Sequence, residues 1–129
     1  MCKPTMLIVD DQKGLTDLFS EFLMVNFNVN VIVQNHSNDV MYLLNNYPVD
    51  IIIQDIHVPG PDGFEVAKQI KKTGNNVIIF LMTDWKEESY YFKSADVGAN
   101  FMPKPIGFKI LQNRLTEIFE QNRLDYKKK

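Results

Sequence analysis

Cysteine is nearly absent: Cys2 is the only one in 129 residues. No internal disulfide can form, and such a chain suits a reducing compartment. Long apolar runs are missing too. The longest, residues 77–82, has six residues, far short of the roughly 20 that a membrane-spanning helix needs. No signal-peptide-like apolar region precedes Asp10, so export is not expected and the expected location is cytoplasmic. A basic excess is also lacking. The chain has 16 acidic and 14 basic residues, a net charge of -2, which argues against a general nucleic-acid binder. There is no internal repeat and no low-complexity linker. No helix-turn-helix module follows Asn122, so direct DNA binding by this chain is not expected.

What is present is enough for one domain with a real core. Hydrophobic residues make up 45% of the chain and charged residues 23%, the balance of a globular protein. Short apolar runs predict strands at 6–9, 51–54, 77–82 and 100–102, and the β-branched stretch 29–33 predicts a strand near a sheet edge. Between them, apolar residues recur at helical spacing. Leu15, Leu18, Phe19, Phe22 and Leu23 mark a first helix. Val40, Leu43, Leu44 and Tyr47 mark a second, with Ser37 as its expected cap and Pro48 as its stop. A third helix is predicted over 63–73, a weaker aromatic-rich one over 86–96, and a last one over 106–122 with Ile110, Leu111, Leu115, Ile118 and Phe119 on one side. The domain is taken as residues 1–122, and 123–129 as a polar, fraying tail.

Five strands alternating with five helices imply a parallel sheet covered on both faces, with right-handed crossovers. In such doubly wound sheets functional groups gather at the carboxyl ends of the strands, where the winding reverses. With the flavodoxin-like order 2-1-3-4-5 that crevice lies between strands one and three. Asp10 and Asp11 follow strand one, Asp55 ends strand three, Thr83 follows strand four and Lys104 follows strand five.

Each of these has an ordinary use when taken singly. An Asp can cap a helix or a loop, a Thr can end a strand, and a Lys can simply be solvated. Four strand ends supplying a complementary set point instead to chemistry. Three carboxylates in one crevice repel and call for a cation. Hard oxygen ligands with room for water suit Mg²⁺. Lys104 can pair with a phosphate, and Thr83 is a compact hydroxyl donor. Asp55 then has the setting of a nucleophile toward phosphorus.

These residues, with Val58-Pro59, Asp62-Gly63 and Lys104-Pro105, make the chain resemble a response-regulator receiver domain, the phosphoacceptor module of two-component signalling. The resemblance runs from about Thr5 to about Phe119. It implies that Asp55 accepts a phosphoryl group from a histidine kinase or a histidine phosphotransfer protein. It implies Mg²⁺ held by Asp11, Asp55 and the backbone carbonyl of His57, with Asp10 assisting through water, and phosphoryl oxygens contacted by Thr83 and Lys104. It implies a cis peptide between Lys104 and Pro105. It further implies a switch through Thr83 and Phe101, and a readout surface of helix four, strand five and helix five. That surface serves a downstream protein effector and leaves room for a phosphorylation-dependent homodimer.

The sequence departs from the family pattern at several points. Asp84 stands where a small residue is usual, and bulky Trp85 follows; both are expected to limit access to Asp55. His57 lies beside the path of an attacking water. Pro61 stiffens its loop, and Gln54 is polar in a strand that is usually apolar there. Two other functions compete: a phosphorylation-independent interaction module on the same fold, and a Mg-dependent aspartyl-phosphate phosphohydrolase. The second is disfavoured because Asp10-Asp11-Gln12 is not the Asp-x-Asp of such enzymes. Flavin binding is disfavoured by the acidic loop after strand one.

Overall fold

The computed structural model describes residues 3–83, 88–104 and 107–127. Apolar runs and amphipathic stretches alternate along the chain as β1 (Thr5–Val9), α1 (Lys13–Asn26), β2 (Asn30–Gln34), α2 (Val40–Asn46), β3 (Ile51–Asp55), α3 (Gly63–Lys72), β4 (Ile78–Thr83), α4 (Glu88–Asp96), β5 (Asn100–Pro103) and α5 (Phe108–Gln121). All strand pairs are parallel, in the order β2-β1-β3-β4-β5. This is the predicted doubly wound, flavodoxin-like sheet. Its register aligns Val9 with Gln34 and Gln54, Asp55 with Met82, and Thr83 with Pro103. The polar ends of the strands therefore finish on one rim.

Side chains alternate between the faces of a strand, so the central strands feed two cores. Met6, Ile8, Ile51, Ile53, Phe80 and Met82 pack with Phe19 and Leu23 of α1 and with Leu111, Leu115 and Phe119 of α5. Leu7, Val9, Ile52, Ile79 and Leu81 pack with Val40 and Leu44 of α2, Val66, Ala67 and Ile70 of α3, and Tyr90 of α4. β1 and β3 are buried along their whole length, whereas β2 is only half-buried, as its interleaved polar residues predict for an edge.

Several local expectations change. Ser37 does not cap α2: Asp39 holds the N-cap position without a side-chain bond, and Ser37 is buried. Leu18, Tyr47 and Ile110 match helical spacing yet lie on outer faces. The stretch expected as a polar tail packs back on the domain over residues 124–126. Asn28 N donates to the Tyr126 carbonyl at 2.7 Å, and the Tyr126 ring stacks on Phe119 with centroids 5.0 Å apart. Two aromatic faces in contact outweigh the polar composition around them. This contact lies beside the start of β2, at the opposite end of the sheet from the acidic rim.

Candidate functional site

Asp10 follows β1 directly and is wholly buried. Its backbone N donates to the Gln34 carbonyl at 3.0 Å, which continues the β1–β2 ladder by one residue. Its Oδ1 accepts from Gln12 N at 2.9 Å, and its Oδ2 accepts from Lys104 Nζ at 2.5 Å. Asp55, the last residue of β3, is 6% exposed. Its Oδ1 accepts from the His57 backbone N at 3.1 Å, and its Oδ2 accepts from Lys104 Nζ at 3.1 Å. Asp11 is exposed, and each of Asp10, Asp11 and Asp55 offers a carboxylate oxygen within 4.8 Å of the other two.

The loops that carry these groups are tightly built. After Asp55, Ile56 N donates to the Met82 carbonyl at 2.8 Å, and Gly63 N donates back to the Ile56 carbonyl at 3.0 Å. A Cβ on Gly63 would come 2.8 Å from the Ile56 Cα, so only glycine allows this approach. Asp62 then caps α3, accepting from Glu65 N at 2.9 Å. Thr83, 1% exposed, ends β4, and its carbonyl accepts from Lys104 N at 2.9 Å. That bond brings the Lys104 backbone to the rim, from which the side chain reaches both carboxylates.

Charge explains the ionisation of the pair. Burial raises the Asp55 pKa above its ordinary 3.8; the Lys104 ammonium opposes this, and the Asp10 charge adds to the rise. For Lys104, burial is the largest single influence and favours the neutral amine. The Asp10 hydrogen bond and the charges of Asp55 and Asp10 together outweigh it, and the pKa lies above 10.5. The site thus holds a firmly charged ammonium between two buried carboxylates, with a third carboxylate in solvent beside them. This donor set, all hard oxygen, fits a divalent cation of the Mg²⁺ type. Asp11 makes no ion pair among the described residues, and the bound oxygens of Asp10 and Asp55 keep lone pairs.

His57 is half-buried and its ring turns toward α4, with Nε2 3.3 Å from the Tyr90 hydroxyl. Phe101 is half-buried against the α2–α3–α4 core and lines a groove of about 180 Å³ with Tyr91, Ala95, Asn100 and Arg114. The aromatics of α4 divide: Tyr90 is buried, while Tyr91 and Phe92 are 63% and 67% exposed. Asp84 and Trp85 lie outside the described residues, as does Pro105 with the bond expected to be cis.

Of the described residues expected at the site from the sequence, Asp10, Asp11, Asp55, His57, Thr83 and Lys104 stand at the carboxyl rim or beside it, whereas Phe101 lies further back in β5, level with Leu81. Sequence reasoning missed the partners of Gln54 and the contact of Tyr90 with His57. A polar residue inside an otherwise apolar strand was the available signal for the first. Nothing in the local pattern announces the second.

With this geometry in view, comparison with known proteins gives one answer. The family described as the response regulator receiver domain matches residues 6–116. The chain belongs to that family. The Fimbriae Z protein of Salmonella typhimurium is 30% identical over 119 residues, covering 91% of this chain and 54% of that protein. The response regulator MprA of a Mycobacterium species is 26% identical over 121 residues, covering 93% of this chain and 52% of that protein. The chain spans about half the length of these curated relatives. Among solved structures, the receiver domain of the Francisella response regulator 1452 superposes with a TM-score of 0.86 at 19% identity, covering 93% of this chain and 99% of that one. That likeness bears on the fold alone. Among the described residues, no helix is long and apolar enough to cross a membrane.

Proposed function

We propose that this domain accepts a phosphoryl group on Asp55, in a Mg²⁺-dependent reaction, from a histidine kinase or histidine phosphotransfer protein, and signals by changing its α4–β5–α5 face. The observation that carries the reading is the meeting of Asp10, Asp11 and Asp55 within 4.8 Å beside Lys104, which bonds two of them. Asp11, Asp55 and the His57 carbonyl would hold the cation, with Asp10 assisting through water. When bound, Mg²⁺ supplies charge neutralisation for the carboxylates and the incoming phosphoryl oxygens.

The chain's own residues do the rest. A carboxylate oxygen of Asp55 attacks phosphorus; the O–P bond forms as the donor N–P bond breaks, and the imidazole nitrogen keeps the electron pair and takes a proton. The His57 backbone N holds Asp55 Oδ1, which leaves Oδ2 on the Lys104 side as the reacting oxygen. Lys104 neutralises charge on the phosphoryl group as it arrives, and Thr83 donates its hydroxyl to another oxygen. Thr83 moving inward frees space that Phe101 fills, which reshapes the groove between α4, β5 and α5. Exposed Tyr91 and Phe92 beside that groove suit an effector contact or a second copy of the domain. On this reading the chain catalyses only its own phosphorylation and dephosphorylation, in the cytoplasm. Asp84 and Trp85 are access-limiting residues that slow phosphate loss.

Intact-protein mass after incubation with acetyl phosphate tests the reading. One added phosphoryl group is expected with Mg²⁺, and none without it or in Asp55→Ala. Equal labelling of Asp55→Ala would remove Asp55 as acceptor. Absence of both labelling and Mg²⁺ binding in the wild type would favour a phosphorylation-independent interaction module.

A further inference from the structure

The loop between β2 and α2 touches both walls of the acidic crevice. On the β1 side, Asn35 Nδ2 donates to the Asp10 carbonyl at 2.9 Å. On the β3 side, Ser37 N donates to the Pro59 carbonyl at 2.9 Å, and Ser37 Oγ accepts from Gln54 Nε2 at 3.0 Å. The same Gln54 nitrogen donates to the Asp55 carbonyl at 2.9 Å. Gly60, at φ +94°, completes the contact: a Cβ there would come 2.7 Å from Asn38 Oδ1. One short loop thus ties the end of β1 to the segment that follows Asp55.

Gln54 is the unusual member. It is 0% exposed, and its Oε1 has no hydrogen-bond partner among the described residues. A buried carbonyl oxygen without a donor is destabilising. A methionine fills a similar volume with no such oxygen, so burial alone does not account for a glutamine. What the amide adds is two donated bonds. Both end on groups that shape the crevice: the backbone of Asp55, and the serine that is bonded to the loop after it.

We infer that Gln54 and Ser37 are positioning residues. They hold the 56–60 loop against the β2–α2 loop, and so set how closely Asp55 and the His57 carbonyl approach Asp10 and Asp11. The unsatisfied oxygen is tolerated because the same amide pre-forms the cation site. The inference rests on the Mg²⁺-dependent reading above. It concerns affinity for the ion before any phosphoryl donor arrives.

The test is calorimetric Mg²⁺ titration of the wild type, Gln54→Met, Ser37→Ala and the double variant, beside thermal melts and amide exchange of the metal-free proteins. Gln54→Met loses the unsatisfied oxygen but also two donated bonds, so it is expected to melt close to the wild-type temperature, yet to bind Mg²⁺ about tenfold more weakly, as outer-shell substitutions commonly do. Amides of residues 56–60 are expected to exchange faster. Ser37→Ala should lose less affinity, and the double variant should be no worse than Gln54→Met, because the two residues share a bond. Unchanged affinity in Gln54→Met, with or without a lower melting temperature, overturns the proposal and leaves Gln54 a packing residue. Failure of the wild type itself to bind Mg²⁺ overturns the metal reading and this inference with it. The wild-type titration separates the two failures.

Discussion

The Lys104 ammonium stands 2.5 Å from Asp10 Oδ2, nearer than the 3.1 Å that separates it from Asp55 Oδ2. In the resting domain the lysine is therefore anchored on the carboxylate that is not the expected acceptor. It already occupies part of the charge balance that a metal would otherwise supply. On the phosphoacceptor reading proposed above, it would have only to shift its weight from Asp10 toward the new oxygens.

Replacing Lys104 by methionine should separate its two roles. Two buried carboxylates lose their counter-charge, and breaking a buried pair in this way typically costs about 3–5 kcal/mol, so metal-free Lys104→Met should melt well below the wild type. Removing a positive charge beside a cation site should also tighten Mg²⁺ binding. A unit charge about 4 Å away is worth about 4 kcal/mol at an effective dielectric near 20, and a third of that is already about tenfold. Calorimetry should therefore show at least tenfold tighter Mg²⁺ together with slower labelling by acetyl phosphate. Weaker Mg²⁺ binding in the variant would contradict this account. In the wild type the lysine's contribution is complete below pH 10.5 and is lost as pH rises through its higher folded pKa.

The Asp55 pKa is raised too, but for a carboxyl group that shift disfavours the charged form. Burial, reinforced by the Asp10 charge, raises its pKa above 3.8 despite Lys104. The folded chain then holds the Asp55 proton more tightly than the unfolded chain does. Stability therefore falls as pH rises from the ordinary Asp range through the raised folded value, and it remains lowered above that value. Asp55→Asn removes this cost. In metal-free buffer near neutral pH it should be more stable than the wild type by about 1 kcal/mol, an ordinary size for one substitution. Denaturant melts of both proteins across the acidic range would read the effect. A variant less stable than the wild type at neutral pH would show that pairing with Lys104 outweighs burial.

Gly63 tests whether the turn into α3 is as close as it looks. In an open helix Gly→Ala stabilises by about 1 kcal/mol. Here the new methyl group would meet the Ile56 Cα at 2.8 Å and Leu81 Cδ2 at 3.2 Å. Backbone cannot yield as a flexible side chain does, so overpacking should win and Gly63→Ala should destabilise by about 1–3 kcal/mol. A rise in melting temperature would show that the Ile56 turn relaxes easily. Because Ile56 adjoins Asp55, a drop in Mg²⁺ affinity is expected alongside.

The architecture was largely legible from the chain. The runs at 6–9 and 51–53 read as buried strand segments because they are apolar on both faces, and β1 and β3 are indeed covered on both. Amphipathic spacing located the helices but misjudged Leu18, Tyr47 and Ile110, since periodicity states that a stripe exists and not how wide the covered face is. Ser37 looked like a helix cap because serine before an apolar run usually is one. It is drawn instead into the core by Gln54, a partner 17 residues away. Tyr126 looked like part of a polar end because its neighbours are charged, yet its ring covers Phe119.

The sequence by itself determined which residue types stand at the end of each strand, because a residue's place along its own strand is a local property of the apolar pattern. Asp10, Asp11, Asp55, Thr83 and Lys104 could be placed in this way before any contact was known. Only the tertiary structure decided how they share charge. Lys104 reaches Asp10 across 94 residues of chain and Asp55 across 49. Parallel register and the Lys104 N bond to the Thr83 carbonyl bring those distant residues to one rim. The same holds for the hydrogen bonds that the loop after β2 makes to Asp10, Gln54 and Pro59, although β2 is an edge strand that carries none of the acidic residues. Order along a chain sets what can meet; the packing of two cores around one sheet sets what does.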